Sequence, residues 1–251
     1  MIKDKPILKS IIWTLVILCF PVASAVISLK LKLNNIQTMF VQGCFMFSSL
    51  IIPIIYVRKY KIRFKEIGLI NIENGSTKKV LFFLPAVISA IPFLLVGINL
   101  NSIKYIITLL FFTLTIGIPE EVYFRGVILK LLVEKYPIKK AILISALVFG
   151  TGHIASILAG GSILIVLLQM INAFVFGIIT AEIVTITKSI IPTIIWHFVF
   201  NFVNYITLAN GINEIVVTGL QVIIMVIYAY NLWSKIPLKN KPIVNLSNYK
   251  L

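Results

Sequence analysis

The chain has 251 residues, of which 59% are hydrophobic and only 12% charged, and it carries a formal net charge of +15. Soluble domains typically have about 25% charged residues, so this composition, with a mean hydropathy of +1.04, excludes an ordinary soluble domain. The positive charge falls in the loops between apolar runs rather than on one basic face, which argues against a nucleic-acid partner.

A run of about 20 apolar residues is long enough to cross a bilayer as a helix. Eight such runs are read in chain order, at 10–29, 36–57, 79–98, 103–133, 138–157, 163–181, 189–207 and 212–233. Short alternating segments of the kind that build membrane barrels are absent. The fold expected is therefore all-α: a polytopic membrane protein of about eight transmembrane helices, forming one integral domain over 1–251. Ala23-Ser24-Ala25 resembles a signal cleavage site, but the apolar run continues to Leu29, which predicts a retained first span. Pro21, Pro53, Pro85 and Pro92 lie within spans, where neighbouring helices can satisfy the carbonyls they free. Cys19 and Cys44 also lie within spans and read as small apolar residues. The basic loop at 58–78 separates two opening helices from the remainder, and 234–251 reads as a flexible cytoplasmic tail.

With the N-terminus placed in the cytoplasm, 19 Lys and Arg residues fall in cytoplasmic segments. Only Lys30, Lys32 and Lys104 fall outside, and Arg125 is intramembrane. Positive loops stay on the cytoplasmic side, so both termini are expected there, in a multi-pass protein of the cell membrane.

Against this apolar background the polar residues stand out. Glu120 and Glu121 are adjacent within the fourth run and make up two of the eight acidic residues. A charge at a helix centre in lipid costs roughly 2.5–3.5 kcal/mol, so retained charges there point to function or to pairing. Glu121 and Arg125 are four apart and share a helix face, which predicts an ion pair. Glu120 points about 100° away and is left free to act. Phe149 and His153 are four apart on the fifth helix, and His197 and Asn201 are four apart on the seventh. At 1.5 Å per residue the glutamates, both histidines and Asn201 reach a common band about 12–22 Å from the end of their helices. Pro119 is expected to restart its helix and leave Glu120 near a positive helix end.

A carboxylate can take a proton from water, and His or Asn can donate hydrogen bonds to the oxyanion formed at a carbonyl. The same groups, Glu120, His153 and His197, would alternatively make a two-histidine, one-carboxylate zinc site assembled from three helices. No compact His-Glu-x-x-His motif is present, and metal-independent catalysis is the favoured reading, with zinc the other cofactor considered.

The ordered set Glu120-Glu121-x-x-x-Arg125, Phe149-x-x-x-His153 and His197-x-x-x-Asn201 resembles the CAAX-protease and bacteriocin-processing (CPBP) family of intramembrane proteases. The resemblance covers about 103–207, the expected catalytic core. It implies an intramembrane endopeptidase with a catalytic cavity open to the cytoplasm and the membrane, acting on a membrane-associated or leader-bearing peptide or protein. By position, Glu120 would activate water and Arg125 would order the glutamate pair. His153 would position water or handle protons, while His197 and Asn201 would polarise the scissile carbonyl. Family roles include prenyl-protein processing, leader removal and bacteriocin self-immunity.

Two other classes fit the same residues: a non-catalytic membrane scaffold or self-immunity protein, and a proton-coupled transporter. Inverted repeats of the transporter kind are not visible, and the motif residues are all present. Individually, Glu121–Arg125 also reads as a structural pair and Phe149 as packing. Gly150, Gly152 and the pair Gly160-Gly161 read as sites of close helix approach, and Gln169, Asn172 and Asn204 as interhelical hydrogen-bonding groups. Glu182 reads as a membrane-interface residue.

Overall fold

The computed structural model describes residues 5–99, 102–157 and 162–236. Twelve α-helical pieces occur among them: α1 (Pro6–Lys30), α2 (Asn35–Ser48), α3 (Ile51–Lys59), α4 (Ser76–Lys79), α5 (Leu84–Ile88), α6 (Ile91–Leu94), α7 (Ile103–Glu121), α8 (Leu129–Val133), α9 (Ile138–Gly152), α10 (Ile163–Thr187), α11 (Ile191–Ile206) and α12 (Gly211–Trp233). Six units are long and apolar enough to span a membrane, and Leu81–Leu94 and Ile191–Ile206 are shorter apolar helices. The eight apolar runs expected from the sequence are therefore all present as helices. Beyond an isolated bridge between Ile98 and Thr207, the described residues contain no β-structure. Residues 237–251 of the expected tail and the Gly160-Gly161 pair lie outside the described residues.

Helix starts follow local chemistry. Asn34 and Gln37 cap α2 reciprocally, each side chain accepting from the other's backbone N–H. Ser102 and Ser162 accept from Tyr105 N and Ile165 N to start α7 and α10. Proline stands in the first turn of α1 and α11, where its missing N–H has no helical partner to lose.

Prolines also decide where spans break. Pro53 has no N–H for the Ser49 carbonyl, and the second span breaks between α2 and α3. The Ser49 carbonyl accepts instead from Ile52 N at 3.1 Å and from the Tyr123 hydroxyl at 2.9 Å. The third span departs from the continuous helix expected over 79–98. Leu81, Phe82 and Phe83 have φ between 52° and 60°, in the left-handed region that β-carbon-bearing residues seldom adopt. The span is thus divided into a 3₁₀ turn, α5 and α6. Carbonyls at its breaks are taken up by α12: Tyr228 Oη donates to Val80 O at 2.7 Å, and Gln221 Nε2 to Ser89 O at 3.1 Å. Asn172 on α10 donates in turn to Gln221 Oε1 at 2.8 Å, the interhelical bond expected of it.

Pro119 behaves differently from expectation. The helix runs through it without restarting, so Glu120 sits in a continuous helix rather than at a positive helix end. Beyond Glu121 the chain widens into a π-helical stretch, Val122–Ile128, in which every residue is buried. Such stretches recur at functional sites.

The bundle has two distinct ends. At one, Ile190 N donates to Gly68 O, Glu73 N to Thr187 O, and Lys235 Nζ to Lys79 O. Here the basic loop after α3 meets the ends of α10 and α12. At the other, Asn99 N donates to Ile206 O, Leu208 N to Gly97 O, and Tyr105 Oη to Tyr205 O. Close helix approach in the middle depends on glycine. A β-carbon at Gly150 would meet Met170 O at 3.0 Å, and one at Gly177 would meet Ala146 Cα at 3.0 Å, so α9 and α10 touch along these residues. At Gly152 the nearest atom would be an ordinary 3.7 Å away.

Candidate active site

Glu121, the last residue of α7, is fully buried and is the centre of the cluster. Its Oε1 lies 3.1 Å from Arg125 Nη1, the ion pair expected from their spacing. The same oxygen lies 3.0 Å from His197 Nδ1 on α11. A carboxylate can only accept, so Nδ1 carries the proton and donates to it, which fixes the tautomer and the ring orientation. The other ring nitrogen, Nε2, faces Glu120 Oε2 at 3.5 Å. Glu120 has 17% of its side chain exposed against none for Glu121, so the two adjacent carboxylates differ as helix geometry requires. At Gly117, where α7 meets α11, a β-carbon would stand at ordinary contact distance, 3.4 Å from Phe198 N and 3.6 Å from His197 Cβ.

Aromatic rings pack the cluster from one side. The Arg125 guanidinium lies over the Phe149 ring, 4.4 Å from its centroid, with Phe176 and Phe124 at 5.9 and 6.0 Å. Phe149 also contacts both imidazoles edge-to-face, at 5.3 Å from His153 and 6.1 Å from His197. Phe176 packs against His197 at 4.8 Å with the rings tilted by 59°. Phe149 is thus more than packing. Its motif spacing from His153 was the available signal, whereas nothing in the sequence marked Phe176.

Glu120, His153, His197 and Asn201 all line one cavity of about 560 Å³. Its wall is completed by the later part of α1, by α2 and by Tyr205. Gln169 belongs to this lining and not to an interhelical pair as expected. Asn204 donates within its own helix, to Phe200 O at 2.6 Å, because that carbonyl lies one turn back. Glu182, expected at the membrane interface, is fully buried with neither carboxylate oxygen hydrogen-bonded. Its position near the end of α10 coincides with a stretch packed on every side.

The ligand set suggested for zinc is not gathered into a binding geometry. Among the described residues no group of three or more His, Cys, Asp or Glu side chains is placed to hold a metal ion. The Phe149 ring, in contact with both imidazoles, accounts for this. These residues do not fit a metal site as arranged.

Apolar spanning helices around a buried carboxylate–imidazole cluster define an all-α, multi-pass membrane protein with an intramembrane polar site. Residues 102–203 match the family described as type II CAAX prenyl endopeptidase Rce1-like. Over this stretch, which contains all three motif pairs, the chain is similar to that family, in agreement with the CPBP resemblance. No curated protein matches the chain.

Proposed function

We propose that the protein hydrolyses a peptide bond inside the membrane with water activated by Glu120. The observation that carries this reading is the doubly used Glu121 carboxylate, which holds Arg125 and His197 and so turns His197 Nε2 toward Glu120 at the cavity wall. Glu120 accepts a proton from water as the water oxygen bonds to the carbonyl carbon, and the carbonyl electron pair moves onto oxygen. The Asn201 side chain, one turn from His197 and on the same cavity wall, donates to that oxyanion. Collapse breaks the C–N bond, and the proton held by Glu120 passes to the leaving amine. His197 acts as the partner of the base, held by Glu121 as a second carboxylate holds a catalytic imidazole in other hydrolases. That role differs from the carbonyl-polarising one the motif alone implied. His153, across Phe149, positions water from the opposite wall.

The substrate in this reading is a membrane-associated peptide or protein segment, with leader removal and peptide maturation within its scope. The test is cleavage of candidate leader peptides by the purified protein in lipid nanodiscs. Cleavage that is lost in Glu120→Gln and in Asn201→Ala is expected. Cleavage unchanged in Glu120→Gln would overturn the reading.

A further inference from the structure

We propose that Thr38 and Gln42 on α2 bind the main chain of the peptide substrate, holding it extended along α1 and α2 with the bond to be cut at Glu120. This assignment rests on the peptidase reading above and names the groups that select and register its substrate.

Helix spacing puts the two residues on one face. Asn35, Thr38, Gln42 and Met46 follow one another by three or four residues, so they share one side of α2. All four line the cavity that also holds Glu120. The first three are polar, and they form a stripe along that wall.

Hydrogen bonding sets this stripe apart from other polar groups in the spans. Thr113 returns its hydroxyl to Leu109 O, Thr180 to Phe176 O and Thr185 to Ala181 O, each one turn back on its own helix. Asn172 and Gln221 pair with each other. Among the described residues, the Thr38 hydroxyl and the Gln42 amide have no such bond. Polar groups at membrane depth are costly unless something meets them, so these two point to a polar guest in the cavity.

The height of the stripe is fixed by its neighbour Gly43. A β-carbon there would meet Phe111 Cε1 and Thr115 Oγ1 at 2.8 Å, so α2 lies directly against α7 at this level. Thr115 precedes Glu120 by five residues, about 7.5 Å along the helix. Thr38 stands about 6 Å further from Glu120 than Gln42 does. An extended peptide presents groups on the same edge every two residues, about 6.6 Å apart. Successive main-chain groups on one edge therefore reach Thr38 and Gln42, and the next pair of residues brings a peptide bond to Glu120.

The α1 wall supplies the other half of the selection. Leu18, Val22, Ala25 and Leu29 line the cavity at spacings of three and four, which makes an apolar stripe beside the polar one. A chain bonded to α2 through its backbone turns every second side chain toward α1. The substrate class is thus an extended segment with apolar side chains at alternate positions, over about four residues next to the cut bond.

The experiment uses the full chain as Glu120→Gln in lipid nanodiscs, alone and combined with Thr38→Val, Thr38→Ser or Gln42→Met, which keep side-chain size. The probe is a fluorescently labelled octapeptide of alternating leucine and serine. Two analogues carry esters in place of every second amide, one in each register, so that main-chain donors are lost on one edge or the other. Thr38→Val and Gln42→Met are each expected to weaken binding of the amide probe by about two- to tenfold, the worth of one hydrogen bond. Thr38→Ser keeps the hydroxyl and should bind like the parent. One ester analogue should bind the parent more weakly and be indifferent to Thr38→Val and Gln42→Met. Unchanged affinity in both of these variants, or no binding of the octapeptide to the parent, would overturn the inference. An equal loss for the amide probe and both analogues would mark a distorted cavity and overturn it as well. Binding is read without turnover, so its outcome is separate from whether Glu120 is a base.

Discussion

His197 is held by Glu121, which lies 3.0 Å from its Nδ1, and this leaves Nε2 directed at Glu120, 3.5 Å away. Two neighbouring carboxylates on one helix thereby acquire separate duties, one orienting the imidazole and the other facing the cavity.

The glutamates should therefore fail in different ways. Glu120→Gln keeps shape and hydrogen bonding but removes the proton acceptor, and turnover should fall by about 10²–10⁴-fold with thermal stability unchanged. Glu121→Gln leaves Arg125 buried without its countercharge, which costs about 3–5 kcal/mol, and also frees His197. Thermal unfolding in detergent beside peptide cleavage separates the two, and equal stability loss in both variants would contradict the division.

Phe149→Leu removes the ring beneath Arg125 and between the imidazoles. A desolvated cation–π contact is worth about 2 kcal/mol, so the variant should unfold at lower temperature than Phe174→Leu, which changes a ring not stacked on Arg125. Identical melting temperatures for the two would show that the ring carries no such energy.

Chelation should leave cleavage intact. The donor geometry does not bring three ligands together. Activity assayed after exhaustive treatment with a strong chelator checks this, and loss followed by recovery on adding zinc would require the imidazoles to move past Phe149.

Tyr123→Phe tests the fold rather than the chemistry. It removes one of the two donors to the Ser49 carbonyl at the break beside Pro53 and leaves Ile52 N at 3.1 Å. A hydrogen bond contributes about 0.5–1.5 kcal/mol net, so unfolding should shift by that amount while the substrate affinity of the folded protein stays the same.

Much of this was legible in the sequence wherever the determinant was local. Apolar length gave the eight spans, and a spacing of four gave the Glu121–Arg125 pair. What was not legible depended on contacts between distant segments. His197 and Glu121 are 76 residues apart, and their spacing carries no signal of the bond between them. Pro119 looked like a helix breaker because proline removes a donor, yet the packed helix absorbs that loss and widens only after Glu121. No pattern along the chain could show that Phe149 touches both imidazoles. Glu182 looked peripheral from its place near a span end, while burial on α10 is set by neighbours far away in sequence.

The broken third span has a consequence for biosynthesis. Its Val80 carbonyl, bonded locally only to Phe83 N, and its Ser89 carbonyl gain the donors carried by Tyr228 and Gln221 about 140 residues later in the chain. As the ribosome delivers the protein, Leu81–Leu94 enters the membrane with its backbone incompletely satisfied and stays provisional until the final helix arrives. The last span, which holds no site residue, is thus the piece that finishes the first half, and a chain truncated before Gln221 should be recognised and degraded as unassembled.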